Sequence, residues 1–181
     1  MASAAANPTS TGPLRAGRYR VDPNRTRIRL GARHMFGLGR VSGTVSLRHA
    51  ALIVGEPATA TTLRAVVDAN SFNTGNDRRD AAVRSGKYLD SAGYPDITFG
   101  CEGIRRDAES WVASGTVTAR GVTAPVDVRV EQADELDGEL WLRANAKIDR
   151  YAHGVTAGKG LAGRWITLDI SATCTPDHTT G

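Results

Sequence analysis

Few residues in this chain have a type and spacing that could do chemistry. The histidines are His34, His49, His153 and His178. None has another at the two- or four-residue spacing that sets two imidazoles on one ion, so no metal site is expected. Gly37-Leu-Gly39-Arg-Val-Ser-Gly43 looks like a dinucleotide loop, but it is one residue too long and opens no helix to hold a pyrophosphate. It reads as a glycine-rich turn. Gly154-Val-Thr-Ala-Gly158-Lys159-Gly160 looks like a phosphate loop, but it is one residue short and has Gly160 where a hydroxyl must bind magnesium. It reads as a loop carrying one cation. There is no G-x-S-x-G and no H-E-x-x-H. Asp169 stands among Ile166, Leu168 and Ile170 and is expected to be exposed. Catalytic residues, metal and cofactors are therefore all expected to be absent. His34 continues the inward register of Ala32 and reads either as a hydrogen-bonded core residue or as a ligand contact.

The elements that must position these residues follow a period of two. Thr26, Ile28, Leu30 and Ala32 share one face, while Arg25, Arg27, Arg29 and Arg33 share the other. The arginines are thus the solvated face of a half-buried strand rather than a nucleic-acid strip. Further strands are expected at Val41–Arg48, Leu63–Ala69, Ile97–Cys101, from Trp111, Val126–Glu131, Leu140–Ile148 and from Trp165, with His49 at a strand end. Turn signals between them (DPN, GEP, DELDG) point to a sandwich or barrel. One segment departs from this pattern. Thr74 or Asn76 as cap, Asp77 and Asp80 in the first turn, an Asp80–Arg84 pair and Gly86 as stop predict a short helix at about 77–85. Such a helix could plug one end of a barrel.

With 181 residues, one domain is expected, with tails at 1–16 and 175–181 around a domain at 17–174. Apolar residues make up 40% and aromatics 6%, so the core rests on Val, Leu, Ile and Ala. A net charge of +4 favours anionic partners only weakly, and no nucleic-acid module signature occurs. Cys101 and Cys174 form no C-x-x-C pair and read as two buried small hydrophobes, with one disulfide as the alternative. No apolar run reaches the roughly 20 residues of a membrane span, and the opening residues lack a signal-peptide pattern. A cytoplasmic location is the expectation.

A collinear series of motifs carries a resemblance. It runs through Tyr19-Arg-Val-Asp22-Pro23, Arg33-His34-Met-Phe-Gly37, Val41-Ser-Gly43, Asn70-Ser71-Phe-Asn-Thr74-Gly75 and Arg79-Asp80. It continues with Lys87-Tyr88-Leu-Asp90, Tyr94-Pro95-Asp-Ile97-Thr-Phe99, Gly115-Thr-Val-Thr118-Ala-Arg-Gly121-Val122-Thr123-Ala-Pro125-Val126 and Arg150-Tyr-Ala-His-Gly154. In this order they resemble the YceI-like family of lipid-binding barrels over residues 17–174. The sequence departs from the family pattern at Thr44-Val45, Leu89 and His153, where aromatics are usual.

The resemblance implies an all-β fold, an extended antiparallel up-and-down β-barrel of lipocalin-like architecture. It also implies that a long apolar chain, an isoprenoid quinone or polyprenyl phosphate, is bound, carried or stored inside. Each buried CH₂ of such a chain contributes about 0.8 kcal/mol. The expected lining is Ile28, Leu30, Val45, Phe99, Cys101, Val128, Leu142 and Ile148. The expected head-group residues at the mouth are His34, Arg40, Arg150 and Lys159, the arginines suiting a phosphate. For Arg150 a structural clamp on a helix acid such as Asp80 stands as the alternative. Two other functions stay open: an enzyme using His34 or His153 as acid or base on a hydrophobic substrate, and a stress-related interaction module. Transient contact with an anionic membrane surface is expected, no nucleic-acid partner is, and a homodimer is left open.

Overall fold

The computed structural model describes residues 14–34, 39–108, 110–159 and 162–178, with only the backbone of His34. The strands are β1 (Gly17–Val21), β2 (Arg27–His34), β3 (Gly39–Val54), β4 (Thr62–Asn73), β5 (Asp96–Cys101), β6 (Ile104–Asp107), β7 (Ser110–Ala119), β8 (Val122–Leu136), β9 (Glu139–Asp149) and β10 (Ala162–Pro176). The helix α1 spans Asp77–Arg84. All strand pairings are antiparallel. Each of β2, β3, β4, β5, β7, β8 and β9 lies beside its neighbour in the chain, and β10 pairs with both β9 and β2. The sheet therefore closes into an up-and-down barrel of 8 staves. These staves are the strands that the period-two pattern predicts.

The two remaining strands extend existing staves. β1 pairs with β10 and β3, the same neighbours that β2 has further along the barrel. The chain leaves the ladder between them at Pro23, which has no N–H to give. There the Asp22 carboxylate accepts the Asn24 N–H at 2.8 Å and the Thr26 hydroxyl donates to the Asp22 carbonyl at 2.7 Å. Arg25 thus lies in a short 3-10 turn rather than in the strand. β6 likewise prolongs β5 along β7. His49 lies inside β3, exposed beside a register shift, because that strand is longer than its alternation suggests. At the chain's two ends, Leu14 packs on the core, and β10 continues through Thr175 and Pro176 against β1.

α1 starts where the Asn76 side chain accepts the Arg79 N–H at 2.9 Å, and Ser85 caps its end. The expected Asp80–Arg84 pair takes another form. Arg84 Nε donates to the Asp80 carbonyl at 3.2 Å, while the Asp80 carboxylate turns back to Thr74. α1 buries only Asp80 and packs beside β4. It does not bring an apolar face to the barrel.

The barrel has two unlike ends. At the helix end lie α1 and the connections β2–β3, β7–β8 and β9–β10. At the other end Tyr19, Val21, Leu52, Val54, Leu140 and Cys174 are each 6% exposed or less and form a solid cap. Gly115 sets how tightly β5 and β7 approach. A Cβ there would sit 2.3 Å from the Gly100 carbonyl oxygen and 2.8 Å from the Phe99 ring. Gly115→Ala is therefore expected to destabilise the fold by about 1–3 kcal/mol. Urea unfolding should show this as a lower midpoint with the slope unchanged.

Candidate functional site

Barrel closure forces alternate residues inward. Ile28 faces Val45 and Ile170 across its two neighbours, and Leu30 faces Leu168, which faces Ala146, which faces Val128. The outward residues between them are Arg27, Arg29, Thr167, Asp169 and Lys147, all exposed. The eight expected lining residues lie on the inward face, but not in one environment. Ile28, Val45 and Cys101 are buried, whereas Leu30, Phe99, Val128, Leu142 and Ile148 are only half-buried. Ile28, Leu30, Val45 and Leu142 belong to the cluster beneath the solid cap, while Phe99, Val128 and Ile148 pack in a second cluster toward the helix end. Val67, Ile97, Leu168 and Ile170 share the half-buried inward position. The same alternation in their strands marks them in the sequence.

An inward apolar side chain that keeps part of its exposure has water-sized space beside it. Such residues run from the barrel's waist toward the helix end, where buried Val117, Ala119, Val126 and Ala146 pack among them, and the capped end is filled by buried side chains. The inner wall is thus apolar, above a solid floor at the capped end.

At the helix end the loops are tied by polar groups. Arg150, 7% exposed, begins the β9–β10 connection. Its Nε donates to the Gly163 carbonyl at 2.7 Å. Its Nη1 donates to the carbonyls of Val155 and Ala157 at 2.7 Å each, and Nη2 to that of Ala162 at 2.8 Å. The guanidinium is a clamp for its own loop. It holds main-chain oxygens rather than Asp80, and the expected head-group role does not fit it. Gly154 turns the loop at φ 72°. His153, 3% exposed, fixes it to the β7–β8 hairpin, with Nδ1 donating to the Val122 carbonyl at 3.0 Å.

Lys159 is exposed, its Nζ 5.2 Å from the Tyr151 ring centre. Arg40 is exposed at the start of β3 opposite Arg33, and the His34 backbone lies opposite Ala162 and Gly39. The structure thus brings His34, Arg40 and Lys159 to one end of the barrel. The motif residues between β4 and β5 build the remaining side of that end. Thr74 N–H donates to both Asp80 oxygens at 3.0 and 3.1 Å, and its hydroxyl donates to one of them at 2.6 Å while accepting from Arg79 Nε at 3.0 Å. The hydrogen bond from the Thr74 side chain, and then its N–H, hold the Asp80 carboxyl below the usual range. Tyr88 reaches Gly158, where a Cβ would meet its hydroxyl at 2.9 Å, and Tyr94 lies as closely over Gly121.

A groove of about 530 Å³ lies at the capped end, lined by Arg15, Arg18, Tyr19, Glu135, Asp137 and Glu139 among others. It is a surface cleft with charges of both signs, at the end of the barrel opposite α1. Cys101 and Cys174 are free and buried. Burial pushes the Cys174 thiol up to about 12, and it raises Cys101 as well. Both behave as hydrophobes, the first of the two readings from sequence.

The closed antiparallel barrel, with its solid floor at one end and its apolar inner wall, is of the lipocalin-like class. The family model described as the YceI-like domain matches residues 19–174, and the chain belongs to that family. A UPF0312 protein of Enterobacter sp. (strain 638) is 30% identical over 110 residues, covering 58% of this chain and 57% of that protein. A protein YceI of Salmonella arizonae is 28% identical over 110 residues, covering 58% of each. The chain thus aligns with less than two thirds of these relatives' length. Among solved structures, Burkholderia cenocepacia BcnA has a TM-score of 0.76 at 18% identity, covering 86% of this chain and 99% of that one. A domain from Saccharophagus degradans, described as a polyisoprenoid binding domain implicated in plant cell wall breakdown, has a TM-score of 0.61 at 16% identity. That match covers 88% of this chain and 98% of that one. These likenesses show a shared fold.

Arg150→Met would leave a ring of loop carbonyls without donors. It is expected to destabilise the ligand-free protein by about 3 kcal/mol, read in urea unfolding; a head-group residue would leave that stability untouched. Asp80 gives a pH test. A carboxylate held below its unfolded pKa contributes stability that is complete above the unfolded value and is lost as pH falls through the folded one. Asp80→Asn should therefore lower the melting temperature at pH 7, with the gap to the parent protein closing below about pH 4. A gap constant across the titration would show that Asp80 acts by shape and not by charge.

Proposed function

We propose that this chain binds a long-chain isoprenoid or similar apolar lipid inside the barrel, for carriage or storage. The observation that carries this is the inner wall of half-buried Leu30, Phe99, Val128, Ile148 and Leu168 above a solid floor. A hydrocarbon chain lying there would cover those surfaces, each CH₂ contributing about 0.8 kcal/mol before ordering costs. Leu142 would meet the chain nearer the floor, and Ile28, Val45 and Cys101 would back the wall. The family's polyisoprenoid-binding relative supports the ligand class. The low share of aromatics suits a flexible branched chain more than a planar ring system.

The polar head would lie at the helix end, where the strand ends and loop that carry His34, Arg40 and Lys159 are found. A phosphate would draw on the two cations, and a quinone would need only donors. Arg150 would act indirectly by fixing the loop that carries Lys159.

A bulky side chain in the chamber tests the proposal. Leu30→Trp should lower uptake of a fluorescent prenyl alcohol at least about tenfold while far-UV circular dichroism and melting temperature stay near the parent values. Uptake unchanged in a folded variant would sink the interior site. Organic extraction of protein from its own host, followed by mass spectrometry, would then name the lipid that it carries.

A further inference from the structure

Charge compensation differs between the two ends of the barrel. At the capped end Arg25 donates to both oxygens of Glu139 at 2.6 and 2.8 Å, Arg64 meets Glu102, and Arg129 reaches Asp107 at 2.7 Å. The rim of the helix end formed by β9, β10, β2 and β3 is different. Arg33, Arg40, Lys147 and Lys159 have no carboxylate within 4.0 Å among the described residues. Arg33 and Arg40 are cross-strand partners, an arrangement in which like charges repel. Asp149 is on this rim, but Arg164 holds it at 2.6 Å, and Asp169 lies further down β10 opposite Arg29.

An exposed aromatic stands among these cations. Trp165 is 45% exposed on β10, with Lys147 Nζ 4.7 Å and the Arg164 guanidinium carbon 5.3 Å from its ring. Beside it Tyr151 is approached by Lys159 and Arg164 at 5.2 and 5.4 Å. An exposed indole flanked by cations, on a rim where Arg33, Arg40, Lys147 and Lys159 have no carboxylate partner among the described residues, is matched to the boundary between phospholipid headgroups and acyl chains. There the ring inserts at headgroup depth, and the cations lie in the field of anionic lipids. A nucleic acid would ask for a basic groove with several stacking platforms, whereas here one exposed tryptophan stands among the rim cations.

We propose that this rim is a docking surface for an anionic phospholipid bilayer, turning the helix end and the chamber's mouth toward the membrane. The inference rests on the lipid-binding reading for its purpose, but its test does not. The full chain would be sedimented with vesicles of phosphatidylcholine containing about 30% phosphatidylserine and with vesicles of phosphatidylcholine alone. Binding should require the anionic lipid and weaken with salt. Arg33→Glu combined with Lys147→Glu should lower partition at least about tenfold, since each cation near the surface is worth roughly fivefold. Arg15→Glu combined with Arg18→Glu, at the capped end, should change it little.

In a Trp111→Phe, Trp141→Phe background, Trp165 emission should shift to the blue on vesicle addition. Equal binding to neutral vesicles, an equal loss from the capped-end variant, or an unmoved Trp165 spectrum would overturn the proposal. So would retention on an anionic oligonucleotide as strong as on the vesicles. Uptake of the prenyl alcohol from dilute ethanol solution should survive in the Arg33, Lys147 variant. If the parent protein binds vesicles but takes up no prenyl alcohol, the docking surface stands and the interior-lipid reading falls.

Discussion

β10 is the seam on which the rest of the structure depends. It pairs with β9 from Trp165–Asp149 to Cys174–Leu140, and its other edge pairs first with β2 and then with β1. An open sheet of these strands would leave two rows of unsatisfied N–H and C=O groups and a broad apolar face against water. The double pairing of β10 removes both edges of the seam at once. It also fixes parity: once Leu168 faces Leu30 and Ala146, Thr167 and Asp169 must face solvent. The identity of the chamber wall follows from that register, because a slip of one residue would exchange the leucines for the charges.

Closure alone does not make a chamber, since an eight-stranded barrel is just wide enough for side chains to fill. The two ends divide on side-chain size and on the number of strands present. At the capped end β1 extends the stave begun by β2 and brings in Tyr19 and Val21, which with Leu52, Leu140 and Cys174 leave no space. Toward the helix end the same staves present Gly43, Ala32, Ala144 and Ala146 among the larger residues. The space beside Gly43 is taken by the neighbouring strand: a Cβ there would lie 2.9 Å from the Asn73 carbonyl oxygen and the Thr74 methyl. That contact lets β3 approach the strand leading into α1.

The sequence made the eight staves and the helix legible because both depend on local periodicity. Ile28, Leu30 and Ala32 against Arg27, Arg29 and Arg33 need no tertiary information to read. β1 and β6 escaped because each is a short continuation of another strand, and five or four residues carry too little alternation to stand out. His49 was misplaced because the irregularity beside it interrupts the period while the strand goes on. Arg150 shows a harder limit. An arginine near a glycine loop reads equally well as a phosphate ligand or as a clamp, and its partners are main-chain oxygens that no side-chain pattern advertises. The lining residues were visible as inward positions. How much space lies beside each depends on what faces it across the barrel, which is a long-range property.

Residues in the recognisable motifs and residues in the chamber wall do different work, and this separates fold from specificity. Thr74, Arg79 and Asp80 lock the approach to α1, Arg150 and Gly154 shape the β9–β10 loop, and Gly121 admits Tyr94. Each acts through a hydrogen bond or a close contact that tolerates few alternatives, which is why such residues make a readable signature. Leu30, Val128, Ile148 and Leu168 have only to be apolar and of suitable size. Exchange among leucine, isoleucine, valine and phenylalanine there would leave the barrel closed but change the width of its interior. Val45 illustrates the point. It is buried at the waist beside Ile28, and its small side chain leaves more of the barrel's cross-section to its neighbours than an aromatic would. The frame of the molecule is therefore held by polar and glycine contacts at the helix end, and the shape of whatever it encloses is set by interchangeable hydrocarbon on the walls.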